Sequence, residues 1–177
     1  MTIELRDTLR LPCGATLPNR LAKAAMSEAL GTMDARVTPK LVKVYERWAQ
    51  GGIGLSITGN VMIDRRALAE PGNVVIEDER DLELLTAWAR AGQSAGGQVW
   101  VQINHPGKQT PKGLNKETVS PSAVPFRKDL QMMFGTPREL REDEILDIIR
   151  RWGEAARICK KAGFNGVQIH EIGRAHV

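Results

Sequence analysis

Residues 162–170, AGFNGVQIH, contain the end of a helix, a turn and a short strand. Gly163 follows a long helical pattern and supplies the left-handed backbone with which many helices end. Residues 166–170 then form a short apolar strand that closes on His170. A helix that passes directly into such a strand is the repeating unit of α/β proteins, and barrels of this class place catalytic side chains at the carboxyl ends of their strands.

The same unit recurs upstream and extends the α/β pattern through the chain. An alternating segment around Pro12 and Gly14 predicts a small hairpin at residues 9–17. Beyond it, we expect strands at residues 21–26, 53–58, 98–104 and 166–170, and helices at residues 39–50, 78–94 and 143–162. Strict alternation of short strands with helices predicts a parallel sheet covered by helices.

Each predicted helix has an apolar stripe, and the first has clear ends. Thr38 is a good N-cap and Pro39 suits the first helical position, whereas Gly51 and Gly52 end the helix. The predicted stripes are Leu41, Val44, Tyr45 and Trp48 in the first helix, Leu82, Leu85, Trp88 and Ala89 in the second, and Ile145, Ile148, Ile149, Trp152, Ala156 and Cys159 in the third.

Two architectures fit this order of elements, an open doubly wound sheet and a (β/α)8 barrel. A dinucleotide site of the Rossmann type requires a G-x-G-x-x-G turn after a strand, and no strand-to-helix junction in this sequence contains one. Gly51, Gly52 and Gly54 form a glycine-rich segment, but it enters a strand rather than leaving one. We therefore interpret it as a helix end and not as a phosphate-binding loop.

Polar and small residues collect at the carboxyl ends of the predicted strands, where a barrel places its chemistry. Small residues let a flat ligand approach the backbone, amides can bond the edge of a heterocycle, and an imidazole can stabilise developing negative charge. Ordinary turn chemistry is the alternative for Asn60 and Asn104 taken singly, and a loop histidine is the alternative for His105. In chain order, the candidates are Ala24, Ala25, Met26, Ser27, Gly59, Asn60, Gln102, Asn104, His105, Gln168 and His170.

The composition disfavours nucleic-acid-binding, membrane-spanning and secreted classes of protein. The formal net charge of +4 is spread among interspersed acids and bases, which disfavours a nucleic-acid partner. The longest uncharged run, residues 48–63, is too short and too rich in glycine for a membrane span. Two distant cysteines and a charged N-terminus without a signal peptide indicate a reduced, cytoplasmic protein, with Cys13 and Cys159 in structural roles.

Five segments, in order, resemble the Old Yellow Enzyme family, the NADH:flavin oxidoreductases built on an FMN-binding TIM barrel. The matching segments are PNRLAKAAMS at residues 18–27, QGGIG at 50–54, QINHPGK at 102–108, PSA at 121–123 and AARICKKAGFNGVQIH at 155–170. The resemblance covers nearly all of residues 1–170. It implies a (β/α)8 barrel, of which this chain would contain about the first half: the hairpin, then four strands alternating with three helices.

The resemblance also implies roles for individual residues. His170 would be the first of two imidazoles that polarise the carbonyl of the substrate, and no metal ligand is implied. Ser27 takes a position that tunes the flavin potential in relatives, and Lys108 stands where relatives usually have arginine. The residues implied to contact the FMN cofactor are Ala24, Ala25, Met26, Ser27, Gly59 and Gln102, the last of them on the pyrimidine edge.

The chemistry that the family implies is hydride transfer from NAD(P)H, through the flavin, to the activated C=C bond of an α,β-unsaturated carbonyl. The implied partner is a small enone-type substrate, with neither membrane nor nucleic acid, and the family is compatible with a homo-oligomer. Two alternatives stay open. One is a related flavin barrel such as a 2,4-dienoyl-CoA reductase or an amine dehydrogenase, and the other is a truncation product without a function of its own.

Residues 171–177, EIGRAHV, do not continue the family pattern. In relatives the next residues supply a second histidine and a tyrosine acid, which would fall at Gly173 and near Ala175. We interpret this segment as a non-native tail, the translation of a sequencing adapter, and residues 1–170 as the N-terminal half of an FMN-binding barrel. The half-barrel alone is expected to be inactive, because a typical barrel needs about 250 residues.

Overall fold

The computed structural model describes residues 2–170 of the chain. The elements, in chain order, are β1 (Leu9–Arg10), β2 (Thr16–Leu17), β3 (Ala22–Lys23), α1 (Pro39–Gln50), β4 (Leu55–Met62), β5 (Val74–Val75), α2 (Leu82–Gly92), β6 (Gln98–Asn104), β7 (Val119–Ser120), β8 (Arg138–Glu139), α3 (Glu142–Ala162) and β9 (Gly166–His170). Strands β1 and β2 pair antiparallel and form the predicted hairpin. Positions 171–177, including Gly173 and Ala175, lie outside the described residues.

The main sheet is wholly parallel and follows chain order. Its strands lie in the order β3-β4-β6-β9, and the short β5 adds to the carboxyl end of β4. All three helices pack into one apolar cluster with the sheet. A doubly wound sheet would reverse its strand order and place helices on both faces. The winding therefore decides between the two architectures, and the molecule has the arrangement of half a (β/α)8 barrel.

The core lies between the sheet and the helices and is centred on Trp88 of α2. This side chain is 1% exposed. Its ring makes edge contacts with Tyr45 of α1, at 5.2 Å between centroids, and with Phe164, which follows α3, at 5.4 Å. Edge-to-face aromatic pairs of this kind add to the free energy of burial. The three helices are thus joined through one aromatic column against the outer face of the sheet.

Several element boundaries were predicted correctly from sequence. Strands β6 and β9 span the predicted residues, and Thr38 caps α1 by accepting a hydrogen bond from Leu41 N at 3.3 Å. Gly163 ends α3 with φ of +93°, the left-handed conformation predicted for it. Because these signals act within a few residues of each helix end or strand, the local sequence was sufficient to find them.

Other boundaries differ from the prediction. The first sheet strand contains only Ala22–Lys23, because residues 24–27 leave the sheet instead of continuing it. Strand β4 runs on to Met62, four residues past its predicted end at Thr58, because a bulge near Thr58 and Gly59 allows the strand to continue. Helix α2 begins at Leu82 rather than at residue 78.

The apolar stripe of α3 is only half covered. Cys159 of the predicted stripe is buried, together with Ala155 and Ile158, which the predicted stripe did not include. At the other end of the helix, Ile145 is 38% exposed and Ile149 is 60% exposed. The first half of α3 therefore has few partners within residues 2–170. In the same part of the chain, no helix is both long enough and apolar enough to cross a membrane.

Candidate active site

Gln102, in the middle of the described sheet, organises its inner face, the face turned away from the helices. Its Nε2 donates a hydrogen bond to Oε1 of Gln168 on β9 at 2.7 Å. One step further along the same strands, Asn104 is in register with His170. Because side chains two residues apart lie on the same face of a strand, Gln102, Asn104, Gln168 and His170 share the inner face at its carboxyl end.

A bulge in β4 adjusts this strand to Gln102. Ile57 pairs with Trp100 and Asn60 pairs with Gln102, so β4 contains one more residue than β6 between these two pairs. The fully buried Thr58 fills the irregularity, since its Oγ1 accepts from Gln102 N at 2.9 Å and donates to the carbonyl of Gly59 at 2.8 Å. The bulge is thereby closed by a side-chain hydroxyl instead of a ladder hydrogen bond.

The predicted contact segment, residues 24–27, lies directly against this bulge. A Cβ atom at Gly59 would stand 2.4 Å from the carbonyl oxygen of Met26 and 2.9 Å from Cα of Ser27. Only glycine allows so close an approach of the two backbones. Met26 is 57% exposed, and Ala24 and Ser27 are also exposed. The structure thus brings the small-residue segment, Gly59 and Gln102 to one end of the sheet. His170 lies on β9, which is next to the strand of Gln102 and two strands from that of Gly59.

Asn60 and Asn104 form a polar pair beside Gln102. Nδ2 of Asn104 donates to Oδ1 of Asn60 at 3.2 Å. Asn104 is fully buried, and its Oδ1 has no hydrogen-bond partner within residues 2–170. A buried acceptor without a donor is unfavourable by about 1–3 kcal/mol.

Other candidates from the sequence have local or structural roles. Nδ1 of His105 accepts from Gly107 N at 3.2 Å, a contact of the loop type considered as its alternative. Lys108 is buried, with its Nζ 4.7 Å from the ring centroid of Phe126 and 3.5 Å from the carbonyl oxygen of Val124. Cys159 is buried, and burial raises the pKa of its thiol to about 12, which makes it a poor nucleophile.

Sequence reasoning missed the side chains that support the contact segment from behind. Oε1 of Glu28 accepts from the hydroxyl of Tyr45 at 2.5 Å and from Gly59 N at 3.1 Å. Lys23, at the other end of the segment, is only 9% exposed. The available signal was a lysine in an otherwise apolar strand, followed five residues later by a glutamate, in LAKAAMSE.

The donor set suits a flat heterocycle with alternating hydrogen-bond donors and acceptors. Amides stand on neighbouring strands, the segment beside them has small exposed residues, and one buried acceptor lacks a donor. Amides can match the ring N–H and carbonyl groups of a flavin pyrimidine, while exposed small residues allow the ring plane to lie close to the backbone. The residues present therefore fit a flavin. The structure describes no cluster of three or more potential metal ligands among residues 2–170.

Comparisons with known proteins find relatives that are named flavin oxidoreductases. A curated relative, the NADH-dependent flavin oxidoreductase iliE of Hypocrea jecorina, is 35% identical over an alignment 179 residues long. The alignment covers 92% of this chain and 45% of the relative. The NADH-dependent flavin oxidoreductase iccE of Talaromyces variabilis is 34% identical over an alignment 185 residues long, which covers 95% of this chain and 45% of the relative. The chain thus spans about half the length of these curated relatives.

A solved structure shows the same fold. The Old Yellow Enzyme homologue from Zymomonas mobilis superposes with a TM-score of 0.81 and 29% sequence identity, covering 93% of this chain and 47% of that protein. The sequence profile of the NADH:flavin oxidoreductase / NADH oxidase family matches residues 13–173. This match extends over most of the chain, including the contact segment, Gln102 and His170. The chain therefore belongs to the NADH:flavin oxidoreductase / NADH oxidase family.

Proposed function

We propose that the full-length protein is an FMN-dependent oxidoreductase that passes hydride from NAD(P)H to the activated C=C bond of an α,β-unsaturated carbonyl. The observation that carries this proposal is the shared inner face of Gln102 and His170, which lies beside the exposed segment 24–27. Two curated relatives are named NADH-dependent flavin oxidoreductases, and these names support the flavin and the reductant.

The proposed cofactor contacts are those that the family resemblance implies, and the amides of the inner face and the exposed segment beside it support them. Gln102 would hydrogen-bond the pyrimidine edge, since its amide offers both a donor and an acceptor. Gly59 and the backbone of the segment would border the ring, and Ser27 would place a hydroxyl beside it. FMN, when bound, supplies reversible hydride exchange between a nicotinamide and a substrate. The residues proposed to hold it are Ala24, Ala25, Met26, Ser27, Gly59 and Gln102.

His170 is the proposed catalytic residue of this half of the site. It ends β9 on the same face as Gln102, so its imidazole can reach a ligand lying over that face. We assign it the donation of a hydrogen bond to the carbonyl oxygen of the substrate, which withdraws electron density from the conjugated C=C bond. A donor placed where negative charge develops lowers the barrier most when it is held in position beforehand.

The test uses the full-length protein, with its flavin identified after release by mass spectrometry. Under anaerobic conditions, NADH or NADPH should bleach the flavin absorbance, and a cyclic enone should restore it. His170→Ala should slow reoxidation by the enone about 100-fold, the usual effect of losing one such donor. Reduction by the nicotinamide and the FMN content serve as internal controls and should change little.

Three results would contradict the proposal. A colourless protein that binds no FMN would contradict the proposed cofactor. Reoxidation of the flavin by a dienoyl-CoA but not by simple enones would contradict the proposed substrate class. Equal reoxidation rates for His170→Ala and wild type would contradict the proposed role of His170. The 177-residue chain, assayed alongside, is expected to bind FMN weakly and to show no turnover.

A further inference from the structure

Lys23 places a positive charge behind the contact segment, on the side of β3 that faces α1. Its side chain is 9% exposed, and its Nζ lies 4.7 Å from the ring of Trp48 and 5.7 Å from the ring of Tyr45. The ammonium donates to the carbonyl of Ala24 at 2.8 Å. Burial lowers the pKa of Lys23, and the charge of Glu28 acts in the opposite direction. The ammonium is therefore held at the start of the segment at some cost in hydration.

Glu28 places a negative charge at the other end of the same segment. Its Oε1 accepts from Gly59 N in the β4 bulge at 3.1 Å. The segment between Lys23 and Glu28 thus has one end bonded to an ammonium and the other end bonded to the neighbouring strand. The four residues between the two charges are among the six proposed to contact the flavin.

Tyr45 joins the two charged groups. Its hydroxyl donates to Oε1 of Glu28 at 2.5 Å, while its ring faces the ammonium of Lys23. The ring is buried in the aromatic column of the core, 1% exposed, and its pKa is raised well above the usual range by burial and by the charge of Glu28. The hydroxyl therefore stays protonated and remains a donor to Glu28. The position of the segment is in this way tied to α1 and to the core.

We propose that Lys23, Tyr45 and Glu28 form a clamp that sets the position of residues 24–27 and of the Gly59 backbone for FMN, acting as positioning residues rather than catalytic ones. The inference rests on the proposed flavin site. A purely structural role would be filled as well by apolar side chains, because burying charge is costly and well-packed apolar replacements are often neutral or stabilising. The charges are instead bonded to backbone groups of the two segments that would border the ring.

The experiment compares Lys23→Met, Tyr45→Phe and Glu28→Gln in the full-length protein. Each variant keeps most of the side-chain volume, and Glu28→Gln also keeps an acceptor for the Tyr45 hydroxyl and Gly59 N. We measure the Kd of FMN, the visible circular dichroism of the bound flavin and the unfolding free energy of the apoprotein. Lys23→Met and Tyr45→Phe each remove one hydrogen bond that involves a charged group, whereas Glu28→Gln keeps its acceptor and removes the charge that strengthens both of its bonds. Each variant should raise the Kd about tenfold, the usual effect of losing one such charged interaction, and should change the flavin dichroism.

Matched controls and a double variant sharpen the result. Lys43→Met and Glu46→Gln make the same chemical changes at exposed positions of α1 and should leave the Kd unchanged. In the double variant Lys23→Met/Glu28→Gln, the loss should be smaller than the product of the single losses, because residues that act through one network are not additive.

The outcomes distinguish a failure of the proposed clamp from a failure of the proposed flavin site. If the wild-type protein binds no FMN, the proposed function fails and the clamp fails with it. If the wild type binds FMN and the three variants keep its Kd and dichroism, the clamp alone is overturned. Variants that lose stability but bind FMN with unchanged Kd and dichroism would show a structural role only. Tyr45→Phe removes a single hydroxyl, so the test stands even where a charge variant folds poorly.

Discussion

Gly59 is the residue on which the approach of the contact segment to β4 depends. The carbonyl of Met26, Cα of Ser27 and the carboxylate of Glu28 all lie within 3 Å of the place where its Cβ would stand. Two of these three groups are backbone, which cannot swing aside as a flexible side chain does. The close packing is therefore possible only with glycine at this position.

Gly59→Ala should destabilise the protein by about 1–3 kcal/mol, the usual range for forcing extra atoms into a packed site. Urea denaturation followed by circular dichroism measures this change in unfolding free energy. Gly153→Ala is the matched control, because a Cβ at Gly153 of α3 would meet nothing within 4 Å. That variant should instead stabilise by about 0.5–1 kcal/mol, since glycine is unfavourable within a helix. Equal effects of the two variants would contradict the close packing seen at Gly59.

At the scale of elements, the start of α3 is secured by one carboxylate. Glu144 accepts from Arg141 N at 2.8 Å and pairs with the guanidinium of Arg138 at 2.8 Å and 3.0 Å. Arg138, and after it the backbone N–H of Arg141, lower the pKa of Glu144 from 4.5 to about 2. A carboxylate near a helix N-terminus also interacts favourably with the helix dipole.

The lowered pKa of Glu144 predicts a pH dependence of stability. Because the folded state binds the proton less tightly than the unfolded state, the contribution of Glu144 is complete above pH 4.5 and is lost as the pH falls from about 4.5 to about 2. Glu144→Gln should make the unfolding free energy less dependent on pH in this interval. Glu142→Gln, at an exposed position in the same turn, is the control. Parallel pH profiles for wild type and Glu144→Gln would refute the assignment.

At the scale of the whole molecule, residues 2–170 leave an apolar face uncovered along β9. Within residues 2–170, β9 pairs only with β6, and Ile169 is 58% exposed. The N-terminal half of α3 continues this face, and a cavity of about 480 Å³ lies between them. Its lining includes Ile145, Ile148, Ile149 and Trp152. Exposed strand edges and apolar patches of this kind promote association.

The 177-residue chain, expressed by itself, should therefore associate as its concentration rises. Sedimentation velocity over a range of concentrations measures this directly. Ile149→Lys, at a position that is 60% exposed, should reduce association because it places a charge on the apolar face. Met33→Lys, at a position that is 96% exposed on a loop, adds the same charge elsewhere and should have little effect. A chain that stays monomeric throughout would rule out this face as an association surface.

The extent of successful prediction differed between elements for a physical reason. Strands β6 and β9 were predicted to the residue, because each is a short apolar run between a glycine turn and a polar end. The end of β4 was missed, because it depends on the Thr58 hydroxyl bonding to Gln102 of the neighbouring strand. Among the predicted site residues, Gln102 and His170 lie near the carboxyl ends of their strands, where the local sequence places them, whereas Glu28 and Lys23 were overlooked because their contacts with Tyr45 and Gly59 join residues distant in sequence.

The sequence by itself determined the order of the hairpin, the four main strands and the three helices and the side chains at the strand ends, but not the two-residue strands β5, β7 and β8. Helix caps, glycine turns and apolar periods act over a few residues, so they can be read without knowing what packs against them. The pattern of elements fitted both an open sheet and a barrel, and the tertiary structure confirmed the half-barrel that the family resemblance implies. Only the tertiary structure decided that the contact segment rests on Gly59 and that two opposite charges lie behind it. These features depend on groups that packing brings together. The free energy of packing depends on how well two surfaces fit each other, so neither stretch of sequence determines it alone.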